Sequence, residues 1–275
     1  MSGTLYIVGT PIGNLGDFSP RARQTLENAD FIAAEDTRVT RKLLNHFDIH
    51  KETVSYFEHN QKARGEQIIT RLLAGENCAL VTDAGMPAIS DPGQALVDQC
   101  IALGIRTEAV PGPVAFATAL AVSGMENGRF TFEGFLSVNK KSRFAHLDEL
   151  KDETRTMLFY EAPHKLLATL HDMAAAFGPD RKIALVRELT KVHEEVIRTT
   201  LQEAVELFTV RPPKGEFVLV IAGKTKEDTG TMTLEEAVQH AKALVARGMS
   251  RSEAAKTTAA ETPFKKGDIY RELNR

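Results

Sequence analysis

The sequence CALVTDAGMPAISDPG, residues 78–93, joins a short apolar run to a loop rich in glycine, proline and aspartate. Its first five residues have the length and composition of a buried β-strand. Two glycines and two prolines then restrict the backbone, and two aspartates, Asp83 and Asp91, lie among them. A plain connection needs fewer turn residues than this. The stretch therefore predicts a strand that ends in a binding loop.

The composition is that of an ordinary globular protein. The chain has 275 residues, 43% of them hydrophobic and 26% charged, with a formal net charge of −3. This length suffices for two domains. The net charge argues against general binding of nucleic acid, but it is compatible with a local basic patch. Cys78 and Cys100 are the only cysteines, so no disulfide framework is expected. With no signal-peptide pattern and no apolar run long enough to span a bilayer, we expect a cytoplasmic location and no membrane partner.

The first part of the chain alternates strands with amphipathic helices. Strands are predicted at 4–9, 31–35, 53–57, 78–82 and 106–110, and helical spacing of apolar residues fills the gaps between them. Ser19 before Pro20 is a helix start, and Gly75 and Gly104 are helix stops. This alternation favours an open parallel sheet covered on both faces, with ligands at the carboxyl ends of its strands.

A second α/β block and a helical tail follow. Further strands are predicted at 130–136, 156–162, 183–189, 194–200 and 215–223, after a connecting segment at 110–124. Beyond a polar linker at 223–231, three short helices are expected, the first two opening with the capping boxes Thr233/Glu236 and Ser250/Glu253 and the third with Thr262 and Pro263. The predicted domains are 1–112, 113–225 and 231–275.

The loop after the first strand, GTPIGNLGD at 9–17, stands where a dinucleotide-binding fold has its glycine fingerprint. Its glycines, however, are spaced G-x-x-x-G-x-x-G rather than G-x-G-x-x-G. Pro11 also lacks the backbone donor that a phosphate-binding turn requires. A nicotinamide oxidoreductase is therefore a minor alternative, although the acidic pair Glu35–Asp36 imitates a ribose-binding acid.

Seven motifs in a fixed order carry a family resemblance. They are GTPIGNLGD (9–17), AEDTR (34–38), TDAGMPAISDPG (82–93), VPGPVA (110–115), FYEAPHK (159–165), RELTKVHEE (187–195) and KGEFVLVIAG (214–223). Together they resemble the tetrapyrrole methylase superfamily and, within it, the small-subunit ribosomal RNA (cytidine-2′-O)-methyltransferase I group. The resemblance implies two α/β domains with a cofactor cleft between them, S-adenosylmethionine as methyl donor, and a homodimer.

The resemblance also implies which residues hold the donor. They are Pro11, Asp83, Gly85, Met86, Pro113, Val114, Ala115, Tyr160 and Glu161. S-adenosylmethionine has a sulfonium cation and no phosphates, so an acidic loop suits it and a phosphate-binding glycine turn is not needed. Asp91 is expected to cap the following helix rather than to contact a ligand.

Methyl transfer to a ribose hydroxyl needs alignment of the two reactants and help with a proton. We expect Glu188 or Lys191 to handle the hydroxyl, and Arg38 and Lys214 to bind phosphate. A salt-bridged surface loop is an equally open interpretation for each of these residues. His193 is not expected to act as a base, and no cluster of residues has metal-ligand spacing.

The tail has a small basic excess, six cations against four acids over 251–275. Together with the resemblance, this excess favours an RNA-contacting appendage through Arg251, Lys265 and Lys266, with a plain helical cap as the alternative. The implied reaction is 2′-O-methylation of a specific cytidine in the decoding region of small-subunit (16S) ribosomal RNA, as naked RNA or in the assembled subunit. A tetrapyrrole acceptor and a non-catalytic RNA-binding factor remain alternatives.

Overall fold

A computed structural model describes residues 2–225 and 233–274 of the chain. The chain divides into a first unit that ends at Lys224 and a second that begins at Thr225. Most of the expected linker at 223–231 lies outside the described residues, as does Arg275, which was counted in the basic tail. The expected boundary at 112/113 falls inside the first unit and stays a prediction.

The first sheet is parallel throughout, as predicted. The strands are β1 (Thr4–Val8), β2 (Phe31–Ala34), β3 (Glu52–Ser55), β4 (Cys78–Val81) and β5 (Arg106–Val110). Their order in the sheet is β3-β2-β4-β1-β5, and Ile7 of β1 pairs with Leu80 of β4 on one side and Ala109 of β5 on the other. The connecting helices are α1 (Pro20–Asn28), α2 (Thr37–His46), α3 (Gln61–Leu73) and α4 (Gln94–Ala102).

Both faces of this sheet are buried, which explains the nearly continuous apolar strands. In β2, Phe31 and Ala33 point to a core that includes residues of α3 and α4. Ile32 and Ala34 point to the opposite core, which includes residues of α1 and α2. This alternation is what a strand covered by helices on both sides requires. The predicted start of α1 is confirmed, since the Ser19 hydroxyl accepts a hydrogen bond from the amide of Ala22.

The second sheet is mixed, a feature that the sequence pattern does not reveal. In the order β6-β7-β10-β8-β9, only β6 and β7 pair in parallel, and the other neighbours are antiparallel. The strands are β6 (Phe130–Phe135), β7 (Thr156–Glu161), β8 (Lys182–Arg187), β9 (Glu195–Thr200) and β10 (Phe217–Ile221). The helices are α5 (Ala115–Ser123), α6 (Lys140–Glu149), α7 (Pro163–Phe177) and α8 (Leu201–Val210).

Helices cover this sheet unequally. Phe159 and Leu219 face a large core that contains residues of α6, α7 and α8. Leu158 and Val220 face a smaller core with Ala119 and Leu120 of α5. The segment that links the two blocks in sequence thus supplies the helix on one face of the second sheet.

Two glycines bring the loops after β1 and β5 into direct backbone contact. A Cβ on Gly9 would lie 2.6 Å from the Cα of Gly112, and a Cβ on Gly112 would lie 2.8 Å from the carbonyl carbon of Gly9. In the same region, Thr10 and Gly85 exchange two backbone hydrogen bonds of 2.9 and 3.1 Å. The first glycine of the 9–17 motif therefore serves close packing of backbones.

The second unit contains α9 (Leu234–Ala246), α10 (Arg251–Glu261) and α11 (Lys266–Leu273). Both predicted capping boxes are present, and Ala241, Ala255 and Ile269 contribute to a small core. The predicted start of the third helix is wrong. Thr262 ends α10, and its hydroxyl donates to the carbonyl of Thr258, while α11 begins at Lys266.

None of the helices in the described part of the chain is long and apolar enough to cross a membrane. Cys78 and Cys100 are free thiols buried in the core between the first sheet and helices α3 and α4.

The contact between Gly9 and Gly112 leads to a prediction about stability. Gly112→Ala should lower the free energy of unfolding by about 1–3 kcal/mol, because the added methyl group would overlap backbone atoms that have no room to move. Urea unfolding followed by circular dichroism would measure the change. Gly128→Ala is the matched control, since its methyl group would have no neighbour within 4 Å. Equal destabilisation by the two substitutions would contradict the packing argument.

Candidate active site

A cavity of about 440 Å³ lies at the carboxyl edge of the first sheet. The loops after β1, β2, β4 and β5 form one side of it, through residues such as Ile12, Asp83 and Val114. The second sheet forms the other side, through residues such as Tyr160 and Val218. The position agrees with the rule that parallel α/β sheets bind ligands at the carboxyl ends of their strands.

Three carboxyl groups line the cavity on the side of the first sheet: those of Glu35, Asp83 and Asp91. Glu35 directly follows β2, and its Oε2 accepts a 2.5 Å hydrogen bond from the hydroxyl of Thr82. Asp83 follows β4, and its Oδ1 accepts a 3.1 Å hydrogen bond from the amide of Asp36. The ends of two adjacent strands are thereby joined, and they concentrate negative charge at the cavity wall.

Burial and this concentration of charge together shift two pKa values upward. Burial raises the pKa of the Asp83 carboxyl, and the negative charge of Glu35 raises it further, while the charge of Arg38 lowers it in part. Burial and then the charge of Glu35 raise the pKa of Asp91 to about 6. The upward direction of both shifts means that the cations among the described residues do not offset burial and the neighbouring carboxylates. A cationic ligand would favour the ionised form of both groups.

The expected role of Asp91 as a helix cap is wrong. The residue at the N-cap of α4 is Gly93, which has a φ of 150° and no side chain to cap with. Asp91 instead lines the cavity, together with Ser90 and Ile89 of the same loop. Ala88 in this loop has a φ of 64°, a left-handed conformation that is costly for a residue with a side chain. The turn residues noted in the sequence thus support a loop that faces the cavity.

Most of the residues expected to hold the donor lie in the cavity lining. Those that line it are Asp83, Gly85, Met86, Val114, Ala115, Tyr160 and Glu161. Pro11 and Pro113 are not among the lining residues, whereas their neighbours Ile12 and Val114 are. The shared location supports the expected set, and the role of each residue in binding stays a prediction.

The two lining residues at the end of β7 are anchored by the protein itself. The hydroxyl of Tyr160 accepts a 3.3 Å hydrogen bond from the amide of Phe116. Glu161 is buried, and its two oxygens accept hydrogen bonds from the amide of Ala162 (2.8 Å) and the hydroxyl of Thr169 (2.5 Å). Both side chains are therefore fixed in place before any ligand binds.

Glu188 and Lys191 form an ion pair next to the cavity rather than in its lining. The Nζ of Lys191 lies 2.9 Å from Oε1 of Glu188 and 2.9 Å from Oε2 of Glu216, and Glu216 does line the cavity. The amide of Glu216 also donates to Oε1 of Glu188. The side chain of Lys191 passes over Gly13, where a Cβ would lie 2.5 Å from its Cγ. The 9–17 motif and the 187–195 motif therefore meet at this ion pair.

The ion pair fixes the charges of both residues. The hydrogen bond from Lys191 lowers the pKa of Glu188. Burial favours the neutral amine of Lys191, but the hydrogen bonds to Glu188 and Glu216 outweigh it and raise the pKa. Lys191 is thus a cation at neutral pH, so it is suited to stabilise negative charge and not to accept a proton. Glu188 and Thr190 both have left-handed φ values, of 50° and 67°, as is common near functional sites.

The residues expected to contact RNA are exposed. In the first unit, Arg38 is paired with Asp36 at a distance of 2.7 Å, and Lys214 lies two residues before Glu216 of the cavity lining. Hydrogen bonds from Arg38 lower the pKa of Asp36 to about 2. In the second unit, Arg251, Lys265 and Lys266 are exposed at the starts of α10 and α11.

Asp91, Phe135 and Glu216 are among the lining residues that reasoning from the sequence missed. Asp91 could have been found, because it belongs to the same loop as Asp83. Glu216 lies beside the expected phosphate-binding Lys214 and carried a weaker signal. Phe135 had none, because its direction depends on an irregularity in β6. Within residues 2–225 and 233–274, no group of three or more histidine, cysteine, aspartate or glutamate residues is arranged to hold a metal ion.

Comparisons with known proteins agree with this architecture. The family model described as Tetrapyrrole (Corrin/Porphyrin) Methylases matches residues 4–205. The chain resembles the solved structure of a diphthine synthase, with a TM-score of 0.62 and 15% identity over 81% of this chain and 91% of that one. It also resembles a cobalt precorrin-4 methyltransferase, with a TM-score of 0.60 and 17% identity over 80% and 94% of the two chains. At such identities these likenesses show the fold alone.

Sequence relatives are much more similar. A protein from Synechocystis sp. named ribosomal RNA small subunit methyltransferase I is 48% identical over 98% of this chain and 96% of its own length. A Bacillus subtilis protein of the same name is 43% identical over 98% and 93% of the two chains. One from Thermotoga maritima is 47% identical over 81% of this chain and 99% of its own length. The chain therefore belongs to the tetrapyrrole methylase family, where it groups with the relatives of this name, and is a methyltransferase.

Proposed function

We propose that this chain transfers a methyl group from S-adenosylmethionine to the ribose 2′-hydroxyl of one cytidine in the decoding region of small-subunit (16S) ribosomal RNA. The observation that carries the proposal is the acidic cavity at the edges of both sheets, in a chain that matches relatives named ribosomal RNA small subunit methyltransferase I over nearly its full length. The site of action would be the cytoplasm. A homodimer, which the resemblance implies, forms part of the proposal.

The cavity fits the donor in charge and in polarity. The unpaired carboxyl groups of Asp83 and Asp91 suit a ligand that carries a sulfonium cation and an α-amino group. Apolar lining from Ile12, Met86 and Val114 suits an adenine ring. When bound there, S-adenosylmethionine supplies a methyl group activated by the sulfonium. The residues proposed to hold it are Pro11, Asp83, Gly85, Met86, Pro113, Val114, Ala115, Tyr160 and Glu161.

The ion pair beside the cavity gives Glu188 and Lys191 different parts in the reaction. Lys191 stays protonated and would stabilise the negative charge that develops on the acceptor oxygen. The hydrogen bonds that the Glu188 carboxylate accepts from described residues both fall on Oε1, so Oε2 is available to accept the hydroxyl proton. The bond to Lys191 weakens Glu188 as a base, which leaves alignment of the reactants as the larger contribution.

RNA would be bound by exposed cations of both units. Arg38 and Lys214 are proposed to hold phosphates near the cavity, and Arg251, Lys265 and Lys266 to extend the contact from the second unit. The Thermotoga maritima relative, however, matches this chain over nearly all of its own length. The part of this chain that it leaves unmatched is about as long as the second unit. This comparison supports a main RNA surface on the first unit, with the second unit as an addition.

Direct measurement of methyl transfer tests the proposed reaction. Labelled S-adenosylmethionine would be incubated with the protein and with small ribosomal subunits, or RNA extracted from them, from cells that lack this protein. We expect label on one ribose 2′-oxygen, located by nuclease mapping, and loss of transfer in a Lys191→Met variant. Tight donor binding with no transfer to either substrate would contradict an RNA acceptor and favour a tetrapyrrole. Binding of RNA without any transfer would favour a non-catalytic factor.

Asp83→Asn should weaken donor binding about ten- to a hundredfold, because a hydrogen bond to a charged group contributes about 1.5–3 kcal/mol. Asparagine keeps the Oδ1 that accepts from Asp36, so the loop should keep its structure. Titration calorimetry with S-adenosylmethionine would measure the affinity. Asp98→Asn, which removes the same charge from an exposed position on α4, is the control. If the two variants bind the donor equally well, Asp83 has no part in binding it.

The raised pKa of Asp91 predicts a pH dependence with a definite sign. Because the carboxyl group ionises near pH 6, donor affinity should rise between pH 5 and pH 7, and Asp91→Asn should flatten this rise. In the absence of donor the linkage runs the other way. A pKa raised from 3.8 means that stability is lost as the pH rises from about 4 to 6, so Asp91→Asn should raise the melting temperature at pH 7.5 but not at pH 4.

Calorimetry at several pH values and thermal melts at the two pH values would check both effects. Asp98→Asn again serves as the control. A variant that keeps the wild-type pH profile and melts at the wild-type temperature at both pH values would show that Asp91 ionises normally.

A further inference from the structure

An extra residue in β6 directs Phe135 to the mouth of the cavity. Phe132 pairs with Leu158 and Phe135 pairs with Tyr160. Between these two pairs β6 spans three residue steps and β7 only two, so β6 contains one extra residue. Gly134 absorbs the irregularity with a φ of 65°. Phe132 and Phe135 therefore lie on the same face, with ring centroids 5.1 and 5.4 Å from that of Tyr160. Phe135 lines the cavity and is 60% exposed, so one aromatic ring is open to solvent beside the reaction site.

The chain that follows Phe135 is held in a defined shape. Nη1 of Arg143 donates to the carbonyl groups of Ser137 and Val138, at 3.2 and 3.3 Å. Nε of Arg143 donates to Asp172 at 2.7 Å, and both side chains of this ion pair are less than a fifth exposed. Val138 is nevertheless 74% exposed at the tip of the loop. The loop is thus an ordered surface that presents apolar and polar groups to solvent, which lowers the entropy cost of binding a partner.

Two lysines stand at the start of α6 without partners of opposite charge. Lys140 and Lys141 are exposed, and neither forms an ion pair with any of the residues that the structure describes. Cations in the first turn of a helix are unfavourable to the helix itself, because its N-terminus carries a partial positive charge. Helix stability therefore does not account for them. Lys140 lies 5.5 Å from the ring centroid of Phe144, which is 39% exposed.

We propose that residues 135–144, the 135–144 segment, bind the single-stranded RNA that flanks the methylated nucleotide. The segment reads FLSVNKKSRF and has no acidic residue. Exposed aromatic rings that stack on bases, combined with cations that follow the backbone, are the features by which proteins bind single strands. Phe135 makes the segment continuous with the cavity, so the strand runs from the reaction site over Val138 to the lysines.

This inference rests on the proposed function and deepens it. The Thermotoga maritima relative carries the same printed name at a length shorter than this chain by about the size of the second unit. A chain of that length has room for a unit of the size of the first and little more. The 135–144 segment combines cations and aromatic rings at the cavity of that unit, whereas Arg38 is already paired with Asp36.

A charge-removal variant with a matched control tests the segment. Lys140→Gln/Lys141→Gln should weaken binding of small-subunit RNA, and should lower the slope of log Kd against log salt concentration by about 1.4, the value for two phosphate contacts on a single strand. The control is Arg129→Gln/Lys182→Gln. Both residues are exposed: Arg129 directly precedes β6, and Lys182 is the first residue of β8. They therefore lie at the edge of the sheet opposite to the 135–144 segment, and neither forms an ion pair with a described residue. The control should bind RNA like the wild type.

Stacking is tested separately at Phe135. Phe135→Leu should weaken RNA binding about five- to 150-fold, and Phe135→Trp, which keeps an aromatic face, should restore it. Affinity for S-adenosylmethionine, measured by calorimetry, should change far less than affinity for RNA in both variants and should not change in the lysine pair.

The outcomes separate this inference from the proposed function. The probes are RNA extracted from small subunits of cells lacking this protein and the subunits themselves, both assayed by filter binding. If the wild type binds and the lysine variant binds like the control, the inference is wrong while the proposed function stands. If Phe135→Leu loses donor affinity as much as RNA affinity, Phe135 belongs to the donor site and the stacking role is wrong. If the wild type binds neither probe, both proposals fall.

Discussion

The architecture of the site depends on how closely the loops after β1, β4 and β5 can approach one another. Gly9 and Gly112 touch backbone to backbone, and Thr10 and Gly85 exchange hydrogen bonds across the same edge. Because the strands are parallel, all of these loops leave the sheet at one edge, where they must share limited space. Only residues without a Cβ allow the contact at positions 9 and 112. The glycine at position 9 thus follows from the packing of loops, and a phosphate ligand is not needed to explain it.

The acidic wall of the cavity is a cost to the folded protein. Burial, and then the charge of Glu35, raise the pKa values of Asp83 and Asp91, and no cation in the described part of the chain neutralises the two aspartates fully. In contrast, the neighbouring carboxyl groups of Asp36 and Glu188 are each paired with a cation, and their pKa values are lowered. The charge of Asp83 and Asp91 is therefore suited to a cationic ligand. A site of this kind trades stability for affinity.

The sequence predicted the strands and helices closely because local signals and tertiary packing agree in most of the chain. Fully buried strands such as β2 and β4 are apolar along their whole length, and Ser19, Thr233 and Ser250 cap helices where expected. Among the features that escaped prediction, three have a clear physical reason. The mixed pairing of the second sheet depends on long-range contacts, and the start of α11 lacks a capping side chain. The direction of Phe135 depends on a one-residue irregularity that reverses which face a side chain occupies.

The same limit applies to the charges, since composition gives only their sum. A net charge of −3 excluded a general affinity for nucleic acid, yet the fold places negative and positive side chains in different regions of the surface. Carboxylates gather inside the cavity, where a small cation would bind, and the two lysines at the start of α6, which pair with no acidic residue in the described ranges, lie outside it. A polyanion is repelled by the carboxylates inside the cavity and attracted to the lysines at its rim, at the start of α6. Only a nucleotide whose backbone stays on the rim could present a hydroxyl group at the cavity without placing its phosphates beside Asp83 and Asp91. The separation of charge therefore fits the proposed acceptor, a nucleotide within a longer strand, in geometry as well as in charge.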